Sequence, residues 1–328
     1  MSSIEISIII ATKNRPAILL VSFTKALAAS KGMPVEIIIV NDGDPFSLDL
    51  EKGSTIKLFN NPSRGVTTAR NYGAKQSKGH TLFFVDDDMC INREALEWIL
   101  ANFSPSSNRR TVYNLNWEYP PELNENLANS KIGRYILSSN YNSMWGRMHV
   151  VGEQPLKGLY KFSTIASCSL VLDKSLFDTI GGYNEKLIFQ GEDIDLSYKI
   201  NQLKIPIFCV FDVTLYHNHS DRLNLVGFLE RESSGYKSQF KAERMGLISL
   251  SSNSYYELKK FIPLELLRIN EPALLYLYKI IPNKPSFIKI ANKVIGYLAS
   301  LQRFKQWKHF FHFKRRNITS ASYVNQPD

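Results

Sequence analysis

The sequence has no long apolar run. No stretch approaches the ~20 apolar residues that a helix needs to cross a bilayer, so a helical membrane span is not expected. Cysteine is scarce as well. Cys90, Cys168 and Cys209 are odd in number, far apart and without a CxxC pair, which excludes a zinc ribbon or a disulfide framework and fits a reducing cytoplasm. The first apolar run, Ile4 to Ala11, contains Glu5 and has no basic lead-in, so no secretory leader is expected. Glycine patterning is missing too. No GxGxxG follows the first apolar run and no GxxxxGK[ST] occurs anywhere, so the usual signatures of dinucleotide and P-loop phosphate binding are absent.

What is present is an ordinary globular composition with an uneven charge. Of 328 residues, 44% are hydrophobic and 21% charged, enough to bury a large core. Residues 1–220 hold 22 Lys+Arg and 22 Asp+Glu, while residues 221–328 hold 18 and 8. The whole excess of +10 therefore lies in the last third. A neutral body suits an enzyme, and a basic end suits contact with an anionic surface.

Short β-branched runs alternate with helical patterns through the first hundred residues. Ile4–Ile10, Val35–Val40, Ile56–Phe59 and Leu82–Val85 read as buried strands. Asn14 is positioned to cap a first helix with Pro16 in its first turn, and Leu19, Leu20, Phe23 and Leu27 recur at helical spacing until Gly32. Ala69–Ser77 reads as the next helix, stopped by Gly79. This alternation predicts parallel βαβ units. Residues 104–160 break the rhythm with Tyr113, Trp117, Tyr119, Tyr141 and Trp145 among Asn and Ser. Exposed rings for stacking on sugars and a half-buried excursion both fit that composition. Ser169–Leu172 and Phe208–Val213 are further strands. Between them Glu192 and Asp193 open a helix whose Ile194, Tyr198 and Leu203 are expected to face the core.

The fourth strand ends in Asp86-Asp87-Asp88. Three adjacent carboxylates repel unless a cation or donors offset them, and alternation along an extended chain lets Asp86 and Asp88 share a side. That pair suits Mg²⁺ or Mn²⁺. Asp88 is also placed to cap a helix beginning near Asn92. Glu192 and Asp193 have a structural reading of their own, because acids in a first helical turn are favoured by the helix dipole.

In order, Ile8 to Pro16, Val40-Asn41-Asp42-Gly43-Asp44, Arg64-Gly65 with Ala69-Arg70-Asn71-x-Gly73 and Gly79, Phe84 to Asp88, Gly181-Gly182-Tyr183-Asn184-Glu185, and Gly191-Glu192-Asp193-x-Asp195-Leu196 resemble the motifs of the family-2 glycosyltransferases of the GT-A fold. The resemblance runs from residue 4 to about His219. Asn41 and Asp44 depart from the family's usual Asp and Ser.

The resemblance implies an α/β, GT-A catalytic domain over 1–220, with a nucleotide-binding half (1–103) and an acceptor half (104–220). Residues 221–328 form a basic helical region. It implies inverting transfer from a nucleotide-diphosphate sugar to a saccharide or lipid-linked saccharide. Asp193 is then the base and Glu192 its neighbour. Ala11, Thr12, Arg15, Asp42, Arg70, Asp86 and Asp87 serve the nucleotide, and Asp88, Asp86 and His217 hold Mn²⁺ or Mg²⁺. His217 and His219 compete for the last ligand position, and His217, with Ser220 three residues on, fits better.

Leu301, Phe304, Trp307 and Phe311 then share one side of a helix flanked by Arg303, Lys305, Lys308, Lys314, Arg315 and Arg316. Such a helix predicts a cytoplasmic enzyme peripheral on an anionic membrane, and a surface helix docked on its own protein is the other reading. A nucleotidyltransferase is the alternative enzyme, though Ala11-Thr12-Lys13-Asn14 is no Gly-rich phosphate loop. A non-catalytic binder of anionic polymers is the alternative from composition. The neutral body argues against a nucleic-acid partner.

Overall fold

The computed structural model describes residues 3–48, 55–103, 110–147, 156–187, 191–220, 223–247 and 271–322, with side chains except at 145, 147 and 310–322. Trp145, Phe311, Lys314, Arg315 and Arg316 of the sequence reading thus lie outside the described side chains. The chain divides into two compact units, Met1–Asn124 with Asn140–Ser220, and Glu125–Ser139 with Asp221–Asp328.

The first unit is built on one mixed sheet. Its strands are β1 (Ile6–Thr12), β2 (Val35–Asn41), β3 (Ile56–Asn60), β4 (Thr81–Asp86), β5 (Met89–Cys90), β6 (Val112–Glu118), β7 (Leu159–Phe162), β8 (Ser169–Asp173) and β9 (Ile207–His217). They lie in the order β3-β2-β1-β4-β8-β6-β9-β5, with β7 also on β9. The first four are mutually parallel, as the alternation predicts. Beyond β4 the rule changes: β8 runs antiparallel to β4 and β6, and β5 and β7 run antiparallel to β9. Ile8, Ile9, Ile38, Ile39, Phe83 and Phe84 are fully buried, which explains why these strands read as continuous apolar runs.

The register fixes the site. Thr12 pairs with Asn41, and Ala11 with Asp86, so Asp42 and the Asp triplet emerge together at the carboxyl ends of parallel strands, the edge where such sheets bind ligands. Helix α1 (Pro16–Ser30) and helix α2 (Val66–Gln76) follow β1 and β3. Helix α3 (Arg93–Asn102) is capped by Asn92 itself, whose side chain accepts from Ala95 N, so Asp88 is released from that role. Helices α4 (Pro121–Ala128), α5 (Lys131–Ser138) and α6 (Met144–Arg147) occupy the stretch that breaks the rhythm, and α7 (Lys174–Ile180) and α8 (Glu192–Gln202) follow β8.

Three local expectations need correction. Asn14 does not cap α1. It adopts positive φ, and its Oδ1 accepts from Asp44 N (2.7 Å), tying the first two βα turns together. Leu20 and Leu27 are exposed, and α1 buries Leu19, Ser22, Phe23, Ala26 and Ala29 instead. On α8 the inner face is Asp195, Leu196, Ser197 and Ile200, whereas Tyr198 and Leu203 are exposed. Helical period gave the spacing in both cases, but which arc is covered depends on the neighbouring elements.

The second unit contains α5, α9 (Leu225–Arg244), α10 (Glu271–Ile280) and α11 (Ile288–Ser322), with a short 3₁₀ turn at Pro285–Phe287. Phe304 and Phe240 are buried together, with Leu301, Trp307 and Tyr236 packed against them. The described part of the tail's aromatic face is therefore spent inside this unit. Among the described residues no helix is long and apolar enough to cross a membrane.

Candidate active site

The Asp triplet is sorted by its neighbours. Asp86, at the end of β4, pairs with Arg70 Nη2 at 2.7 Å and keeps part of its carboxylate exposed. Asp87 turns inward. Thr12 Oγ1 donates to its Oδ2 (2.8 Å), Arg15 Nη1 lies 2.5 Å from its Oδ1, and Ser22 Oγ donates to its carbonyl (2.5 Å). Burial, then the charge of Asp88, pushes the Asp87 carboxyl up to about 6. Asp88 shares the same guanidinium, with Arg15 Nη2 at 3.0 Å. Arg15 thus acts as a two-pronged clamp that lets two adjacent carboxylates sit together.

Asp88 also meets both histidines. His217 Nε2 lies 2.9 Å from Oδ1 and His219 Nε2 3.4 Å from Oδ2. The sheet sets this up, because Met89 pairs with His217 across β5 and β9, and Asn218 N donates to the Asp88 carbonyl (2.8 Å). Burial disfavours the charge of Asp88, but the His217 interaction, then His219 and Arg15, hold its carboxyl well below the usual range. Ligand atoms of Asp88, His217 and His219 all lie within 4.8 Å of one another, and all three residues are buried. Asp86 is not in that group. His219 Nδ1 lies 3.2 Å from the Tyr119 hydroxyl, which orients its ring as outer partners of metal-binding imidazoles do. Among the described residues His217 Nδ1 is buried without a hydrogen-bond partner, and the Trp117 ring lies edge-on at 4.8 Å.

Asp42 lies at the end of β2 rather than in this cluster. Its Oδ1 accepts from Gly65 N (2.8 Å) and Asn61 Nδ2 (2.7 Å), and Lys13 Nζ is 3.1 Å from Oδ2. Burial opposes its charge, and the Gly65, Asn61 and Lys13 interactions outweigh it, so its carboxyl stays below the ordinary value. Asn41 makes the turn, accepting from Gly43 N and donating to the Asp44 carbonyl.

Glu192 and Asp193 begin α8, after Gly191 in the left-handed region. Arg70 Nη1 is 3.3 Å from Glu192 Oε1, so this almost fully buried guanidinium joins the acid at the end of β4 to the acid that opens α8. Its plane lies over the Tyr183 ring, 5.4 Å from the centroid. Tyr183 is fixed by α2. Asn71 Oδ1 accepts from Tyr183 N, and Asn71 Nδ2 donates to the Tyr183 carbonyl, both at 2.9 Å. Gly182, at φ +60°, leaves room for that approach, since a Cβ there would lie 2.8 Å from Asn71 Oδ1. Two distant glycine-containing motifs of the sequence are thus one structural joint.

Asp193 has a different environment from Asp88. Its Oδ1 accepts from Ser167 N (3.1 Å) and from Ser167 Oγ, and Tyr183 OH donates to Ser167 Oγ (2.8 Å). Burial and the neighbouring Glu192 charge push its carboxyl up to about 7, against the opposing pull of Arg70 and the Ser167 hydroxyl. A cavity of about 290 Å³ is lined by Asp193 and Glu192 together with Arg70, Asp86, His217 and His219. Trp117, Met144, Ser167 and Cys168 complete much of its wall.

The residues singled out from sequence are therefore divided. Arg70, Asp86, Glu192, Asp193 and His217 line the cavity, and Asp88 stands behind the histidines. Thr12 and Arg15 hold Asp87 and Asp88. Ala11 sits in the β1–β4 register and Asp42 lies apart. Sequence reading missed Ser167 and the contact of Tyr119 with His219, and it set His219 against His217 when both approach Asp88. Their His-x-His spacing was the available signal, because alternate residues of an extended segment share a side. Tyr113, Trp117 and Tyr119 are buried, so the half-buried reading of that stretch holds for these three.

The fold is a mixed α/β sheet with acids gathered at the carboxyl ends of its parallel strands and at the opening of α8. The model of the family described as glycosyl transferase family 2 matches residues 7–142, and that stretch is similar to this family. An uncharacterised glycosyltransferase of Rickettsia felis is 27% identical over 171 residues, covering 51% of this chain and 26% of the relative. One of Haemophilus influenzae is 32% identical over 114 residues, 33% of this chain and 37% of the relative. The chain thus spans about a quarter to about a third of these curated relatives. Among solved structures, a mannosyltransferase from Pyrobaculum calidifontis in complex with GDP-Man and Mn²⁺ is similar at 13% identity with a TM-score of 0.49, covering 91% of this chain and 86% of that one.

Proposed function

We propose that the chain is an inverting glycosyltransferase that moves a sugar from a nucleoside-diphosphate sugar to a hydroxyl of a saccharide or lipid-linked saccharide. One observation carries this reading: Asp193, a carboxyl raised to about 7, shares a cavity with the histidines that flank Asp88. The similarity of residues 7–142 to the glycosyl transferase family 2 model supports this reading for the part of the cavity built by Arg70, Asp86 and Trp117.

Asp88, His217 and His219 form the candidate cation site. Their ligand atoms all lie within 4.8 Å of one another, so the three side chains could turn to one cation. Two imidazoles with one carboxylate suit Mn²⁺ better than Mg²⁺, which prefers oxygen. A cation held by these residues would supply charge stabilisation for the departing diphosphate. Asp42, with its Gly65 and Asn61 contacts, is assigned to the nucleobase, and Asp86 to the ribose. Arg15 and Thr12 hold Asp87 and Asp88 in place, beside the nucleotide role proposed for them.

On the acceptor side Asp193 takes the proton of the attacking hydroxyl. Ser167 occupies Oδ1, which leaves Oδ2 to receive it. Glu192, held by Arg70, orients the acceptor. A single displacement inverts the anomeric centre. Residues 1–220 are proposed as the catalytic domain. The basic residues 221–328 are proposed to meet an anionic membrane from the cytoplasmic side.

The test is a panel of nucleotide sugars with and without Mn²⁺, followed by thermal shift and by donor hydrolysis. Metal-dependent stabilisation and slow hydrolysis with one donor are expected. No donor response in the presence of Mn²⁺ removes the reading.

A further inference from the structure

The described tail aromatics are packed against α9, yet the second unit leaves another apolar face open. On α10, Tyr276, Leu277 and Ile280 are 67%, 39% and 57% exposed. Positions i, i+1 and i+4 lie within about 100° of helical arc, so these side chains form one outward stripe. On α11, Ile290 and Tyr297, seven residues apart and therefore on one face, are also half exposed.

The inner side of α10 is anchored. Lys131 Nζ donates to the carbonyls of Tyr278 and Ile281 and lies 4.4 Å over the Tyr278 ring. Gln302 Nε2 and Lys305 Nζ bind Glu271 at the start of the helix. Those contacts fix which face points outward.

The surrounding charge identifies the occupant. From Pro272 to Pro327 the sequence has ten Lys+Arg and no Asp or Glu. Lys279, Lys284, Lys289 and Lys293 are all exposed, close in sequence to the apolar stripe. A protein partner or a second copy of this unit would have to answer an apolar stripe beside exposed lysines. An anionic bilayer answers both at once, taking Tyr, Leu and Ile into the acyl boundary and the ammonium groups among the phosphates.

We propose that the outward face of α10, Tyr276, Leu277 and Ile280, flanked by Lys279, Lys284 and Lys289, is the docking surface for an anionic lipid membrane. This rests on the reading that residues 221–328 meet such a membrane, and it moves the contact from the tail's aromatic face to α10.

The test is sedimentation of the full chain with phosphatidylcholine vesicles, with and without about a third phosphatidylglycerol. Wild-type protein should partition onto the anionic vesicles and be released by high salt. Changing Tyr276→Ser, Leu277→Ser and Ile280→Ser together should weaken partition at least about tenfold with the melting temperature unchanged. Lys279→Gln with Lys284→Gln and Lys289→Gln, which removes no packing, should weaken it similarly. Equal partition of both variants and the wild type overturns this inference and leaves the membrane reading standing. No partition of the wild type overturns the membrane reading as well. Wild-type dimers in the ultracentrifuge that the serine variant dissociates would assign the face to a second copy and overturn the inference. Nucleotide-sugar turnover, read separately, decides the catalytic proposal.

Discussion

Asp88 and Asp193 are the same residue type in the same unit, and their surroundings drive them in opposite directions. Both lose hydration. Asp88 recovers it through two imidazoles and a guanidinium, so its carboxyl is held low. Asp193 meets a hydroxyl, an amide and the like charge of Glu192, and its carboxyl rises to about 7. Arg70 could have cancelled that rise, but its two terminal nitrogens bind Asp86 and Glu192 instead. The general point is that burial makes a carboxylate sensitive, and the nearest donors then decide whether it serves as a permanent charge or as a proton acceptor.

The comparison is broken most sharply at Asp193. Asp193→Asn keeps the shape and the Ser167 contact but removes the basic oxygen. Transfer should fall about 10²–10⁴-fold, the usual range for a general base, while nucleotide-sugar binding by calorimetry stays within about twofold. Transfer at the wild-type rate would end the assignment. In the wild type, kcat/KM should rise with pH up to about 7 and then level, because only the ionised carboxylate accepts a proton.

At the other corner, His219→Gln and His217→Gln should each weaken Mn²⁺-dependent thermal stabilisation, by about 10–100-fold in the metal concentration required. A response to His217→Gln alone would restore the single-histidine expectation. A smaller change sharpens the Asp193 side. Tyr183→Phe frees Ser167 Oγ from its incoming donor, and Ser167→Ala removes the hydroxyl donated to Asp193. Loss of a donor to the charged form disfavours that form, so the pH limb should move up by about one unit in Ser167→Ala and less in Tyr183→Phe. A uniform loss of rate with an unmoved limb would mean that Ser167 only shapes the cavity.

How much of this was legible follows from the range of each signal. The parallel strands were readable because each is a local apolar run, and Asp86 to Asp88 because they end one. Glu192 and Asp193 were readable through their place after Gly191. The Arg15 clamp, the joint between Asn71 and Tyr183, and Ser167 behind Asp193 were not. Each depends on contact between residues 26 to 112 positions apart, which no local period encodes. The exposed Leu20 and Leu27 were misread for the same reason. Inclusion of Glu125–Ser139 in the second unit had no sequence signal at all.

Glu36 supplies the control for the comparison, a buried carboxylate on β2 with partners and no place in the cavity. Burial opposes its charge, but Lys57 Nζ at 2.7 Å, the Lys78 amide and Ser7 Oγ at 2.7 Å prevail, and its carboxyl lies below the ordinary value of 4.5. A carboxyl lowered by folding binds fewer protons in the native state than in the unfolded chain. Its stabilisation is therefore fully present above about pH 4.5 and is lost as the pH falls through the native value. Glu36→Gln should cost about 1 kcal/mol near neutral pH, since the amide keeps one acceptor but loses the charge-assisted contacts. It should flatten the acid limb of a denaturant-unfolding series and leave the pH dependence of transfer untouched. A shifted transfer profile in Glu36→Gln would show that the charge balance of the whole sheet, and not the immediate donors, sets the proton affinity of Asp193.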